Sequence, residues 1–225
     1  MKKKIIYIKM SVVGPLKYQS PINLDYKDIS FDISQCLKVK GKNKFAELNH
    51  EKHIFEVKDK VILKIENERY QLVEYHFHLF PGTGGCTGSE HTLKSKRFDS
   101  EVHFVFTKLG KDVKHIKCNH NLFDVCSGKS PSDAGDLLVI GRFIKFGDKT
   151  IINDLHKLQV KLPEKYFEYD GALTAPLEDN NFSSVRWLVG TKPVELKKEQ
   201  LSKDNAKTTR CIQPLDGRII LFSCN

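Results

Sequence analysis

The stretch Tyr70–Leu79 restricts the fold of this chain more than any other. From Glu74 onward its polar and apolar side chains alternate, as expected for a β-strand. Side chains two positions apart lie on the same face of a strand, so Glu74, His76 and His78 share one face. Two imidazoles on one strand face can approach a single ion together.

A second predicted strand, Ser100–Thr107, carries Glu101 and His103 on one face. If it neighbours the first strand, three neutral imidazoles meet and leave one open position, which is typical of a catalytic zinc site. Water bound there can ionise near neutral pH and act as a nucleophile. A bare His-x-His pair is more often an ordinary surface or core feature. However, Glu74 and Glu101 stand where carboxylates can accept the second ring N–H of a ligand.

Short apolar runs separated by polar turns recur along the chain. The predicted strands are Phe45–Leu48, His53–Val57, Val61–Ile65, Tyr70–Leu79, Ser100–Thr107, Leu137–Phe146, Val185–Gly190 and Ile219–Ser223. Helical spacing predicts short helices at Ile151–Leu158 and Glu195–Leu201, and Lys111–Asp136 is expected to be a loop. We therefore expect one mostly β domain over residues 18–225, with residues 1–17 as a short N-terminal extension. The strand pattern alone also allows a sandwich or a barrel.

The chain carries 37 Lys and Arg residues against 28 Asp and Glu residues, a net charge of +9. This excess favours an anionic partner, such as a nucleic acid, a glycan or an anionic lipid. No recognisable nucleic-acid-binding motif accompanies it, so no nucleic acid is expected. We interpret the charge as a lysine-rich solvated surface, with weak polyanion binding as the alternative. No run of 18 apolar residues is present, so no membrane-spanning helix is expected.

Six cysteines lie at positions 36, 86, 118, 126, 211 and 224, and no two form a Cys-x-x-Cys pair. Their irregular spacing favours reduced, structural thiols over a disulfide framework. The apolar part of Met1–Met10 is interrupted at Lys9, and no small-residue cleavage site follows. These features predict a cytoplasmic protein. A secreted protein is the alternative if the N-terminus acts as a signal.

Several segments, in order along the chain, resemble motifs of the α-class carbonic anhydrases. They are Gln19–Leu24, Tyr70–His78, Gly88–Thr92, Ser100–His103, Tyr169–Pro176 and Gln213–Leu215 with Arg218. Each motif alone is weakly specific, but their ordered co-occurrence from Tyr18 to Ser223 is highly specific. The resemblance implies a large, twisted, mainly antiparallel central sheet with short peripheral helices. It also implies a zinc enzyme that uses a zinc-bound hydroxide to hydrate carbon dioxide reversibly to bicarbonate and a proton.

The resemblance also implies roles for single residues. His76, His78 and His103 match the ligands of Zn²⁺. Thr174 matches the residue that accepts a hydrogen bond from the zinc-bound hydroxide. Glu90 matches the glutamate that accepts the Thr174 proton, which forces the Thr174 oxygen to act as an acceptor.

Further roles follow from the same resemblance. Glu74 and Glu101 match partners of the ligand histidines, and His91 and Tyr169 match a buried polar network behind the site. His53 matches the position of the family's proton-shuttle histidine. An imidazole suits that role because it can gain and lose a proton near neutral pH. An ordinary surface histidine is the alternative for that position.

The implied carbon dioxide pocket is an apolar wall, because a small non-polar substrate needs a dry surface and no polar clamp. The matching residues are Val105, Val139, Leu173, Ala175 and Trp187. Without the resemblance, these would be taken as ordinary core residues.

Two positions depart from the family pattern. Glu74 stands where glutamine is usual, and its extra charge would make His76 a more electron-rich ligand and lower activity near neutral pH. Ala175 replaces a residue that is commonly polar. The competing function is a catalytically weak or inactive carbonic anhydrase-like binding module that uses its basic surface. Esterase activity is a lesser possibility.

Overall fold

The computed structural model describes residues 18–35, 37–65, 67–82, 84–109, 137–148, 154–174 and 184–224. The strands in these ranges are β1 Asn23–Leu24, β2 Phe31–Ile33, β3 Leu37–Lys40, β4 Ala46–Asn49, β5 Ile54–Val57, β6 Ile62–Ile65, β7 Glu68–Pro81, β8 Thr92–Leu93, β9 Ser100–Lys108, β10 Leu137–Phe146, β11 Lys165–Ala172, β12 Ser184–Leu196, β13 Ala206–Thr209 and β14 Leu221–Cys224. Single 3-10 turns lie at Tyr26–Asp28, Leu155–Lys157 and Lys198–Gln200. In the part of the chain described, no helix has the length and apolar character needed to cross a membrane.

Twelve of these strands form one large twisted sheet, and β1 and β8 form a separate pair. The main path runs β2-β14-β11-β12-β10-β9-β7-β5-β4, while β6 and β13 also pair with β7, and β3 pairs with β6. Most neighbouring strands are antiparallel, with parallel pairing at β10–β12, β7–β13 and β2–β14. The predicted mostly β fold with a mainly antiparallel central sheet is confirmed, and the sheet path is open at β2 and β4, unlike a closed barrel.

The central strands β7 and β9 are buried on both faces, which brings functional side chains into the interior. In the register of this antiparallel pair, Tyr75 lies opposite Phe104 and His76 lies opposite His103. Tyr75 and Phe104 belong to one hydrophobic core, whereas Val105, on the same side of β9 as His103, belongs to a second core. The three histidines therefore lie largely buried between the two cores.

All eight predicted strands are present, although most of their ends are shifted. The prediction of a helix at Glu195–Leu201 is wrong for its first residues, because Glu195 and Leu196 pair with β10 at the end of β12. Only the turn Lys198–Gln200 remains helical there. Strand pairing has overridden the local helical spacing.

The second predicted helix, Ile151–Leu158, is represented by the single turn Leu155–Lys157. The Asp154 carboxylate caps this turn by accepting a hydrogen bond from the His156 N–H at 2.9 Å. Residues 151–153 lie outside the described residues, as do the predicted loop Lys111–Asp136 and the predicted extension 1–17.

A disulfide bond joins Cys86, in the Gly-rich segment that follows β7, to Cys211, which follows β13. Their Cα atoms are 5.3 Å apart, although 125 residues separate them in the sequence. The parallel pairing of β13 with β7 places the two segments side by side. The expectation of reduced cysteines is therefore wrong for this pair, because cysteine spacing carries no information about that strand pairing.

Candidate metal centre

Three histidines converge on one buried face of the β7–β9 pair. The ring centroids are 5.1 Å apart for His76 and His78, 5.4 Å for His76 and His103, and 4.7 Å for His78 and His103. One ring nitrogen from each histidine can be chosen so that all three lie within 4.8 Å of one another. The side chains predicted from their spacing are thus brought together in the arrangement that a metal ion requires.

An oxygen atom lies close to one nitrogen of each ring, and for His76 and His78 the contact is a hydrogen bond. His76 Nδ1 lies 3.2 Å from Glu74 Oε1, and His103 Nε2 lies 3.0 Å from Glu101 Oε1. His78 Nδ1 lies 2.6 Å from the backbone oxygen of Thr208. A ring nitrogen that donates a hydrogen bond fixes the tautomer, so Nε2 of His76 and of His78 carries the lone pair. His103 Nε2 makes no hydrogen bond among the described residues, and the nearby Glu101 charge alone favours a proton on Nε2 and a lone pair on Nδ1.

The donor set fits zinc. His78 Nε2 is buried and has no hydrogen-bond partner among the described residues. A buried polar atom without a partner costs free energy, and a metal ion bound by the three lone pairs would remove that cost. Three neutral imidazoles with oriented tautomers are a usual ligand set for a catalytic zinc ion.

Burial keeps His76 and His78 in the neutral form that a metal needs. Burial lowers the pKa of His78 to about 4, against an attraction to Glu90 that raises it. Burial also lowers the pKa of His76 well below its usual value, with a smaller contribution from Lys207. Both rings are therefore unprotonated at neutral pH.

We expect the metal-free protein to lose stability as the pH falls. The pKa of His78 is near 6.5 in the unfolded chain and about 4 in the folded one. Between these pH values the unfolded state binds more protons, so the free energy of unfolding falls as the pH falls. The loss for this residue is on the order of 3 kcal/mol. Urea unfolding of the metal-free protein at pH values from 7 to 4.5 measures this loss. In a His78→Asn variant the free energy of unfolding should depend less steeply on pH. Equal slopes for both proteins would contradict the prediction.

A buried polar network lies behind His103. The Glu101 carboxylate also accepts hydrogen bonds from His91, through the backbone N–H and ring Nδ1, both at 2.8 Å. His91 Nε2 lies 2.7 Å from the Tyr169 hydroxyl, which lies 3.0 Å from Ser20 Oγ. Burial opposes ionisation of Glu101, but His91 and His103 outweigh it and hold the pKa well below its usual range. An ionised Glu101 can therefore fix both histidine rings at once.

A cavity of about 740 Å³ is bordered by one histidine of the triad and by three of the other predicted polar residues. Its lining includes His53, His78, Glu90 and Thr174. Glu90 Oε1 accepts a hydrogen bond from the Arg210 backbone N–H at 2.9 Å. Glu90 Oε2 is buried without a hydrogen-bond partner in the described ranges, so it makes no hydrogen bond to Thr174. The predicted pair thus shares one cavity but is not joined by a hydrogen bond.

His53 lies in the wall of this cavity, before β5. It adopts a left-handed backbone conformation with φ of +53°, and its Nδ1 lies 3.2 Å from the Asp204 backbone oxygen. If Nδ1 donates to that oxygen, Nε2 carries the lone pair and can accept a proton. The predicted shuttle position therefore has access to the cavity.

The predicted apolar residues form one cluster in the second hydrophobic core. Val105, Val139 and Trp187 are buried in it, and the partly exposed Leu173 packs against it. Ala175 lies outside the described residues. The Trp187 indole N–H donates to the Ala172 backbone oxygen at 3.0 Å, which fixes the orientation of the ring.

Sequence reasoning did not identify the contribution of β13. Its Thr208 orients His78, and its Lys207 lines the cavity. The segment Ala206–Thr209 has no strand-like alternation of apolar residues. The nearest signal in the sequence is the family motif at Gln213–Leu215, which begins a few residues after β13.

Comparison with known proteins identifies the family. A model of the eukaryotic-type carbonic anhydrases matches residues 12–223. Human mitochondrial carbonic anhydrase 5B is 29% identical over 224 residues, covering 82% of this chain and 62% of the human protein. The chain thus spans about three-fifths of the length of the curated relatives it matches.

Comparison with solved structures points to the same family. A hyperthermostable carbonic anhydrase identified from an active hydrothermal vent chimney is 27% identical, with a TM-score of 0.64, covering 92% of this chain and 88% of that one. The α-carbonic anhydrase of Thermovibrio ammonificans, solved with the inhibitor sulfanilamide, shares the fold at 24% identity and a TM-score of 0.61, covering 91% and 86%. Since the family model matches nearly the whole sequence, this chain belongs to the eukaryotic-type, α-class carbonic anhydrase family.

Proposed function

We propose that this protein is a zinc-dependent carbonic anhydrase that hydrates carbon dioxide reversibly to bicarbonate and a proton. The observation that carries the proposal is the buried triad of His76, His78 and His103, in which oxygens accept hydrogen bonds from the first two rings and a Glu101 oxygen lies 3.0 Å from His103 Nε2. Zinc, when bound, supplies Lewis acidity, which makes a water molecule acidic enough to lose a proton near neutral pH.

The residues around the triad would orient the reaction. Thr174 and Glu90 line the same cavity, and a Thr174 hydroxyl that donates to the free Glu90 Oε2 would present its oxygen as an acceptor toward the reacting water. That contact is not formed in this structure. The resulting geometry would select one lone-pair direction of the nucleophile.

The substrate and the proton would use different parts of the site. Carbon dioxide has no charge, so the apolar cluster of Val105, Val139 and Trp187, which is buried beside His103, would give it a surface from which water is excluded. His53, in the cavity wall, would pass the released proton to buffer. Proton transfer by a positioned histidine is typically worth about 10²–10⁴-fold in rate.

Stopped-flow hydration of carbon dioxide by the zinc-loaded protein, with and without sulfanilamide, tests the proposal. Rapid turnover that sulfanilamide abolishes would support it. No turnover above the uncatalysed rate, with one zinc per chain confirmed, would reject it. Heparin affinity in such an inactive protein would favour the alternative of a carbonic anhydrase-like binding module with a basic surface.

Substitution of Glu74 by glutamine should shift the pH–rate profile to lower pH. Glu74 Oε1 lies 3.2 Å from His76 Nδ1, and a carboxylate donates more charge to that ring than an amide does. Burial raises the pKa of Glu74, while Lys207 and Lys52 oppose that effect. We expect a shift on the order of half a pH unit. A Glu47→Gln variant, altered at an exposed position of β4, is the control, and an unmoved profile for Glu74→Gln would refute the prediction.

A further inference from the structure

We propose that Lys207 forms an anion-binding subsite in the cavity and that its ligand is a small, singly charged carboxylate-type oxoanion. The physiological ligand would be bicarbonate, and this choice rests on the proposed function. Lys207 would thus give an anion in the cavity a polar contact from β13, in addition to the triad on β7 and β9.

The position of Lys207 is fixed by strand pairing. β13 lies parallel to β7, with Lys207 in register with His78 and Ala206 in register with Phe77. The neighbouring Thr208 oxygen is bonded to the His78 ring, so the backbone on one side of Lys207 is tied to the triad. The Lys207 side chain lines the same cavity as His78, Glu90 and Thr174.

The Lys207 ammonium has no close counterion. Among the described residues, no carboxylate lies within 4.0 Å of it, and the attraction of Glu74 and Glu90 acts over a longer distance. Lys207 is partly buried, so its side chain has lost part of its hydration, and this burial lowers the pKa of the ammonium against that attraction. A partly dehydrated cation without a hydrogen-bonded anion is costly, and an oxoanion in the cavity would supply the missing charge-assisted hydrogen bonds.

The other basic residues of the cavity have different roles. The Arg210 guanidinium also borders the cavity, but it donates to the Ser20 backbone oxygen and to Gln19 Oε1. Lys203 is exposed in the cavity wall. Together with the net charge of +9, Lys203 favours the entry of anions, whereas Lys207 is placed to hold one beside the triad.

The same walls limit the charge of the ligand. Glu90 is buried in the cavity lining close to His78, with Oε1 3.3 Å from the ring Nδ1. Its carboxylate would repel an anion carrying two or more charges more strongly than one carrying a single charge. A lysine ammonium is a compact charge with three rotatable donors, which suits a small oxygen anion. A singly charged carboxylate or bicarbonate meets both conditions.

Sodium formate is a suitable probe, because it has the carboxylate but does not interconvert with carbon dioxide on binding. The zinc-loaded full chain, labelled with ¹⁵N, is titrated at constant ionic strength, and amide shifts of β13 give the dissociation constant. The metal-free chain is titrated in parallel, so that any contact of formate with zinc is separated from the contact with Lys207. Lys207→Met, Lys207→Arg and Lys203→Met are compared with the wild type.

We expect saturable binding by the wild type in both forms and at least about tenfold weaker binding by Lys207→Met. Lys207→Arg and Lys203→Met should stay within about threefold of the wild type, because the first keeps the charge and the second leaves Lys207 in place. The subsite is disproved if the wild type shows no saturable binding, if Lys207→Met binds within twofold of it, or if Lys203→Met weakens binding equally. Lys207→Gln replaces Lys207→Met if the latter loses the native amide spectrum.

Stopped-flow measurements on the same samples separate this inference from the proposed function. Formate binding that depends on Lys207, in a zinc-loaded protein without turnover, would support the subsite and reject the enzyme. Turnover with formate binding that is independent of Lys207 would support the enzyme and reject the subsite. In an active enzyme with the subsite, Lys207→Met should raise KM for bicarbonate and lower kcat much less. The fold increase in KM should exceed the fold decrease in kcat by a factor of about ten.

Discussion

The His103→Ala variant should lose stoichiometric zinc binding, and its rate of carbon dioxide hydration should fall by more than about a thousandfold. His103 lies opposite His76 in the β7–β9 register, so its removal leaves two imidazoles on a single strand. Two neutral nitrogen donors cannot complete the three-ligand set of a catalytic zinc site. Metal analysis after dialysis and stopped-flow hydration measure the two effects.

His50→Ala is the matched control, because His50 is an exposed histidine outside the triad. This variant should keep one zinc per chain. A His103→Ala protein that retained one zinc per chain and more than a tenth of the wild-type rate would contradict the proposed metal site.

For Glu101→Ala we expect a loss of stability of about 3–5 kcal/mol and a zinc affinity about 10–100-fold lower. The Glu101 carboxylate is fully buried and holds the His91 backbone, the His91 ring and the His103 ring. Alanine would leave these donors in the interior without an acceptor. Urea unfolding of the metal-free protein gives the stability, and competition with a chromophoric chelator gives the zinc affinity.

Two further variants separate charge from packing. Glu101→Gln keeps the shape and one acceptor oxygen, so it should lose less stability than Glu101→Ala. Glu47→Ala removes an exposed carboxylate from β4 and should change stability by less than about 0.5 kcal/mol. If Glu101→Ala cost no more than Glu47→Ala, the network behind His103 would have no structural role.

The part of the site that could be predicted from sequence is the part encoded by local spacing. A strand repeats every two residues, so Glu74, His76 and His78 had to share a face once Tyr70–Leu79 was extended. The same rule placed Glu101 beside His103. The eight predicted strands were also found, because each carries its own apolar or aromatic run.

The remaining part depends on contacts between distant segments. Thr208 orients His78 through a backbone oxygen, a group that every residue type carries. The Cys86–Cys211 bond and the position of Lys207 both follow from the β7–β13 pairing. Short strands without apolar alternation leave no periodic signal, and only the ordered family motifs indicated that the C-terminal segment approaches the site.

The His78–Thr208 hydrogen bond has a consequence for synthesis of the protein on the ribosome. His103 and Thr208 are 105 residues apart, which corresponds to roughly 5–20 s of translation at about 5–20 residues per second. All three histidines have therefore left the ribosome well before the oxygen that fixes the His78 tautomer has been made. The nascent chain can meet metal ions during that interval with an incompletely oriented ligand. If the triad binds zinc as proposed, full metal affinity would be acquired only when β13 has paired with β7.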